Sequence, residues 1–285
     1  MIAYLDTKVF DRLYKRIGCT STNIADLRKA VYGRSLSMPI GIHVLEELLL
    51  NRHASPQELV ARVKLTLSLA SIRRMVKPCN QLIADDIRSY AASAQPARPL
   101  ADAEIQNVFT QGIAELIESD GEEFSEEILD ALESARARRE RFLQAMANSC
   151  RQTAATLEAM PSSIAFDDFF ERAAVPMAER FAQRAGALEA CRERGMAGLL
   201  HLKSVRAAVG IALSLVYGQA LEGWTTAADD SGYFLHAPAA AAIAEIFVTD
   251  DPRMRTAIER VALDGLRIMN LTEFLAECAT AQKAD

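Results

Sequence analysis

The sequence predicts an α/β fold in which a short parallel sheet is assembled from both ends of the chain and helices alone fill the middle. Three observations predict it. Short apolar β-type runs lie at residues 2–5 and 38–44 near one end, and at 246–248 and 266–269 near the other. Between about residues 101 and 194 every stretch has helical periodicity and is rich in Ala, Glu, Arg and Leu. Strands alternating with helices at the two ends favour parallel pairing through right-handed crossovers. The division that follows is a core of residues 1–54 and 200–285 with a mostly α-helical insertion at 55–199, not marked off as a separate domain.

The first β-type run ends at Asp6. Thr7 is placed to cap a helix over about residues 8–17, with Val9, Leu13 and Ile17 on one face and Gly18 as its stop. Asn23 or Ser21 caps a second helix that closes at Gly33. The run MPIGIHV, residues 38–44, leads directly into Leu45-Glu46-Glu47-Leu48. Ser55-Pro56-Gln57-Glu58 is a strong helix start, with a Ser cap, Pro at the first position and Glu at the third; that helix is expected to reach about Ile72. Met75-Val76 is a candidate for a third, very short strand, Asn80 caps a further helix, and the two prolines of Gln95-Pro96-Ala97-Arg98-Pro99 break the chain.

In the helical middle, Ser125-Glu126-Glu127 opens a long helix carrying Arg136, Arg138, Arg139 and Arg141, and Pro161 and Pro176 punctuate the helices after it. These arginines read as a solvated face balanced by Glu133 and Glu140, or as a nucleic-acid contact surface. Residues 199–221 read as a buried apolar helix. Tyr233 to Ala244 is a helix of small residues able to pack closely on a sheet. FVTDDPRM, residues 247–254, ends a strand and opens a helix at Pro252, and Asn270 starts the closing helix.

Hydrophobic residues make up 50% of the chain and charged ones 25%, enough for a sizeable core. A formal net charge of −6 excludes a generally basic nucleic-acid coat but not a local basic groove. The five cysteines are scattered, with no CxxC and no zinc spacing, and read as reduced thiols of a cytoplasmic protein. The opening MIAYLDTKVF meets Asp6 and Lys8 too early for a signal peptide, and the apolar run 237–248 is too short and Ala-rich to span a bilayer, so no membrane partner is expected. GxGxxG, GxxxxGK[ST] and GxSxG are all absent, which argues against dinucleotide, P-loop and nucleophile-elbow sites.

Each placeable strand has acids at its end: Asp6, then Glu46 and Glu47, then Asp250 and Asp251, with Asp229 and Asp230 before the small-residue helix. In a parallel sheet all of these fall on one edge. Clustered carboxylates without thiols suit a hard cation, Mg²⁺ or Mn²⁺. Helix capping is the competing reading for Asp6, Asp230, Asp250 and Asp251, and a plain exposed charge for Glu46 and Glu47.

In this order, YLDT, then HVLEELL, then a helix opening near an Asp, then FVTDD and LRIMNLTEFL, the sequence resembles the PIN-like metal-dependent nuclease family over about residues 1–54 and 200–285. The resemblance implies a three-layer core around a short parallel sheet, and a ribonuclease in which a metal-activated water hydrolyses phosphodiester bonds. Carried over, it implies Asp6, Glu47, Asp230 and Asp251 as catalytic metal ligands, with Glu46, Asp229, Asp250 and His236 in reserve. Asp251 is favoured for the metal and Asp250 for capping. The family's third acid falls near Tyr233 here, which cannot take that role, so Asp230 or Asp229 is asked to supply it. Lys8, Arg253 and Arg255 are candidates for holding phosphates of an RNA substrate. The competing expectation is a PIN-like binding module with weak or no catalysis, meeting a second copy or an antitoxin-like protein through its helical insertion.

Overall fold

The computed structural model of the chain describes residues 1–50, 54–118, 126–157, 164–224 and 232–284. Five short strands, β1 (Ala3–Leu5), β2 (Pro39–Gly41), β3 (Ser71–Val76), β4 (Ile246–Val248) and β5 (Arg267–Met269), are all parallel. They form a three-stranded sheet, β1-β4-β5, and a two-stranded sheet, β2-β3. A parallel bridge between Ile2 and Ser37 joins the two edge to edge, with Ala3 N donating to Ser37 O at 3.0 Å and Ser37 N to Met1 O at 2.9 Å. The strands therefore lie in the order β3-β2-β1-β4-β5. The chain winds one way from β1 and resumes on its other side at β4, which makes the β1/β4 boundary the topological switch point.

The helices justify themselves locally. Asp6 is the N-cap of α1 (Thr7–Lys15), where Thr7 was expected to be. Thr20 caps α2 (Ser21–Tyr32) in a capping box with Asn23. Helix α3 (Ile42–Leu49) follows β2 without a loop. Ser55 caps α4 (Pro56–Leu69), its hydroxyl accepting from Glu58 N, with Pro56 at the first position. That helix stops at Leu69 rather than near Ile72, because after Ala70 the chain turns into β3, whose Ser71, Met75 and Val76 pair with β2. The sheet thus takes a strand from the stretch expected to be insertion. Pro78, not Asn80, is the N-cap of α5 (Cys79–Ala91).

The middle of the chain is α6 (Ala103–Glu118), α7 (Glu126–Leu157), α8 (Phe166–Arg184) and α9 (Leu188–Arg194). Pro176, expected as a break, lies inside α8; Pro161 lies outside the described residues. A 3₁₀ segment, Met196–His201, precedes α10 (Lys203–Leu221), so the apolar helix starts later than expected. Then come α11 (Tyr233–Ile243), α12 (Pro252–Val261) and α13 (Leu271–Ala284).

By length and composition α10 is apolar enough to cross a membrane. Most of its residues are instead buried, against α5, α7, α8, α11 and α12. Gly210 lets it approach α12, since a Cβ there would come within 2.4 Å of Val261. One hydrophobic core runs through both the strands and the middle helices, from Tyr4 and Phe247 to Phe169 and Ala178.

Gly41 marks a tight fit beside the switch point. A Cβ at Gly41 would meet the Tyr4 hydroxyl at 2.1 Å, and Tyr4 is fully buried with that hydroxyl 3.3 Å from His236 Nδ1. Gly41→Ala is expected to lower stability by about 1–3 kcal/mol, the usual cost of overpacking a filled core. Combining it with Tyr4→Phe, which removes the clashing oxygen, is expected to recover most of that loss. Urea unfolding of the single and double variants measures both, and equal destabilisation in the two would refute the fit.

Candidate active site

The carboxyl edge of the sheet at the switch point collects acids from three elements. Register sets the first contact. Leu5 of β1 pairs with Val248 of β4, so the residues that follow them, Asp6 and Thr249, are neighbours. Asp6 N donates to Val248 O at 3.1 Å, and the Thr249 hydroxyl donates to Asp6 Oδ2. Asp6 Oδ1 accepts from Val9 N at 2.8 Å, which caps α1. Asp6 is 2% exposed. Burial pushes its pKa from 3.8 to about 6, against the pull of the Thr249 hydroxyl, the His236 ring and Val9 N–H; the nearby Glu47 charge adds to the rise.

Glu47 sits on α3, the helix that leaves β2. The Thr7 hydroxyl and the Arg139 guanidinium of α7 both donate to it, and His236 Nε2 lies 3.2 Å from each of its oxygens. Burial by itself raises its pKa, but the His236 ring, Arg139 and Thr7 outweigh that and bring it down to about 2. Behind His236, the Tyr4 hydroxyl reaches Nδ1, and the Tyr4 ring leans on Phe247 with centroids 5.9 Å apart. His236 is 3% exposed.

Asp251 is the third acid. Its Oδ1 accepts from Arg253 N, Met254 N and the Tyr233 hydroxyl, all at 3.0 Å, and Lys8 Nζ approaches Oδ2 at 2.5 Å. Burial raises its pKa, yet the Lys8, Met254 and Tyr233 bonds leave it below the ordinary value. The expected division between the two adjacent acids is corrected here. Asp251 caps α12, because Pro252 at the first helical position makes the residue before it the cap. Asp250 turns the other way, accepting from Leu271 N at 3.1 Å and pairing with Arg12 at 2.8 Å, and so ties α1 to the start of α13.

The remaining candidates separate. Glu46 pairs with His43 Nδ1 at 3.0 Å, and His43 Nε2 accepts from Cys79 N, so Glu46 serves the α3–α5 junction. Arg255 is committed to Glu259 and Glu273. The Arg253 guanidinium lies 6.0 Å from the Trp224 ring. Lys8 does reach the acids, through Asp251. Asp229 and Asp230 lie outside the described residues.

Four participants were not singled out from the sequence. Arg139 read as one of several arginines on a solvated helix face. Thr7 was assigned to capping, and Tyr4 and Thr249 were not given roles. Thr249 had a signal available, as the hydroxyl residue directly after a strand that pairs with the strand ending at Asp6.

Among the described residues, no three His, Cys, Asp or Glu side chains are grouped so as to hold one metal ion. The donors themselves are carboxylate oxygens suited to a hard cation. Two of the three acids have positively charged side chains on them, Arg139 on Glu47 and Lys8 on Asp251, while no Lys or Arg among the described residues is paired with Asp6. Comparison with protein-family models, curated proteins and solved structures finds no match to the chain.

The raised pKa of Asp6 has a consequence for stability. The folded protein holds this proton more tightly than the unfolded chain, so the contribution is full below about pH 4 and is lost as pH rises through 6. The shift corresponds to roughly 2–3 kcal/mol of lost stability at neutral pH. Asp6→Asn keeps an oxygen for Val9 N and gives Thr249 an amide to accept from. The variant is expected to unfold at higher urea than the parent at pH 7.5, with the gap falling to about half by pH 5 and closing only below about pH 4. A gap that stays constant across that range would contradict it.

Proposed function

We propose that the chain is a PIN-like, divalent-metal-dependent nuclease acting on RNA, with Asp6 as its central ligand and Glu47 and Asp251 beside it. The observation that supports this most is Asp6 itself: a buried carboxylate at the switch point, close enough to Glu47 to repel it, with no paired Lys or Arg among the described residues. A protein that needed only a helix cap there has no reason to bury a second acid next to it, and a hard cation relieves the repulsion. The parallel order β3-β2-β1-β4-β5 supports a PIN-like core, since it puts the ends of β1 and β4 side by side. The preference for RNA comes from the family resemblance.

Carboxylate oxygens are the donor type Mg²⁺ or Mn²⁺ takes, and Asp6, Glu47 and Asp251, which are not grouped around one point as they stand, would have to converge to hold it. When bound, such an ion activates a water and neutralises charge developing on the phosphoryl group. The chain's own residues do the rest. Thr249 and Val9 N–H fix both oxygens of Asp6. Thr7 and the Tyr4–His236 pair orient Glu47. Lys8, whose side chain is 67% exposed, stands at the rim beside Asp251, where it can meet a phosphate. For the ion to enter, Arg139 and Lys8 must give up Glu47 and Asp251.

A second reading has its own support. Tyr233 donates to Asp251 where the family pattern has an acid, and Arg139 and Lys8 already neutralise two of the carboxylates. These features favour a PIN-like binding module with weak or no catalysis.

Two measurements decide between the readings. Calorimetric titration with Mn²⁺ is expected to give binding that Asp6→Asn abolishes. Cleavage of single-stranded RNA in Mn²⁺ is expected to fall by about a hundredfold or more in Asp6→Asn and Asp251→Asn, the scale of losing a group that stabilises transition-state charge. No Mn²⁺ binding at millimolar metal, with no cleavage, selects the binding module. Cleavage equal to the parent in both variants refutes this site.

A further inference from the structure

A cavity of about 630 Å³ opens between α3, α5, α7, α8 and α11, lined by Arg139 but not by Glu47. Its size falls within the roughly 300–1,000 Å³ of small-molecule sites. In a chain of net charge −6, this cavity is locally basic: Arg138, Arg139 and Arg184 line it, against the single acid Glu46. Arg138 and Arg184 are exposed. Arg139 spends one nitrogen on Glu47, while its Nη1 is buried with no hydrogen-bond partner among the described residues. A buried unpaired guanidinium N–H carries a desolvation penalty, and the arginines that an anionic oxygen in the cavity can reach directly are the exposed Arg138 and Arg184.

The remaining walls are aromatic and amide-bearing. Phe181 and Phe234 stack with ring centroids 6.1 Å apart and an interplanar angle of 29°. Phe142 also lines the cavity and is 41% exposed, so its ring is open to a ligand there. Asn80 and Glu46 supply edges able to hydrogen-bond a heterocycle.

We propose that this cavity binds a nucleotide, its phosphate on the arginines and its base against the phenylalanines. An acyl chain fits less well: its one carboxylate leaves two guanidinium groups unanswered and puts Asn80 and Glu46 against methylenes. The nucleotide can be a free mononucleotide or one unpaired unit of an RNA strand, because both present the same phosphate and base. The proposal does not rest on metal-dependent cleavage, since none of Asp6, Glu47 or Asp251 lines the cavity.

Calorimetry on the whole protein tests it, with AMP, adenosine, decanoate and a short oligoadenylate as probes. AMP is expected to bind, and adenosine about tenfold or more weakly for want of the charge-assisted bonds. Arg184→Ala and Arg138→Ala are expected to weaken AMP about tenfold, and Phe142→Ala similarly through lost stacking. Asp6→Asn is expected to leave AMP binding unchanged, so loss of nuclease activity and loss of this site are read separately. Binding of both AMP and oligoadenylate assigns a free nucleotide; binding of oligoadenylate alone, still sensitive to Arg184→Ala, assigns a strand. Decanoate binding more tightly than AMP, equal binding of adenosine and AMP, or no binding of either nucleotide probe at millimolar concentration overturns the proposal.

Discussion

The arrangement of this protein depends on one buried carboxylate. Asp6 occupies the single place where the end of β1, the start of α1 and the end of β4 come together. Its two oxygens answer one donor from each side, Val9 N–H from the helix and the Thr249 hydroxyl from the neighbouring strand. Because strands β1 and β4 are in register from Ala3–Ile246 to Leu5–Val248, shifting either by one residue would break the second contact and turn every side chain to the opposite face. The carboxylate therefore helps specify how the two ends of the chain meet. It does so at a cost, since burial works against its charge. A group that destabilises the fold at neutral pH yet sits at the switch point has the signature of a functional position.

Glu47 shows how differently a neighbouring acid can be treated. It is half-buried, its side chain 20% exposed, and three donors drawn from α1, α7 and α11 keep it ionised. The two acids thus have their pKa values pushed in opposite directions, to about 6 and about 2. Environments that separate the titration of adjacent carboxylates are those in which one carboxylate holds charge while the other exchanges a proton or awaits a cation. The His236 ring works on both, which makes the Tyr4–His236 pair the element that couples them. Gly41 belongs to the same unit, because only a residue without a Cβ leaves room for the Tyr4 hydroxyl.

Much of this was legible in the residues. An apolar run closed by an acid located β1 and Asp6, and Ile246-Phe247-Val248 before Thr249 located β4. Ser55-Pro56 and Asp251-Pro252 announced their helices through capping chemistry that acts within four residues. What was missed depended on distance in the chain. Met75-Val76 marked the end of β3, but its start, Ser71-Ile72, reads as the tail of α4 because that strand character comes from pairing with β2, some thirty residues earlier. Arg139 is indistinguishable in sequence from Arg138 and Arg141; only the direction in which α7 crosses α3 decides which of them meets Glu47. The role of Asp250 turned on Arg12 and Leu271, neither of which is near it in sequence, whereas the capping by Asp251 is set by Pro252 beside it.

Arg139 also shows why the helical stretch is more than an appendage. Helix α7 packs on α10 and buries Cys150 and Ala154 in the core, and it meets α3 through two arginines one turn apart. Arg136 donates to Leu50 O at 3.1 Å at the end of α3, and Arg139 pairs with Glu47 within that helix. A guanidinium is planar and carries five N–H donors, so it can face a carboxylate on one edge and a second anion on another. Here one edge is used and Nη1 is not. The acid cluster and the cavity beyond it therefore share one residue, and the charge balance of Glu47 is set by a helix that the sheet itself does not contain. Arg139 is therefore the residue through which a charge placed in the cavity would act on Glu47, since neither Asp6 nor Asp251 lines it.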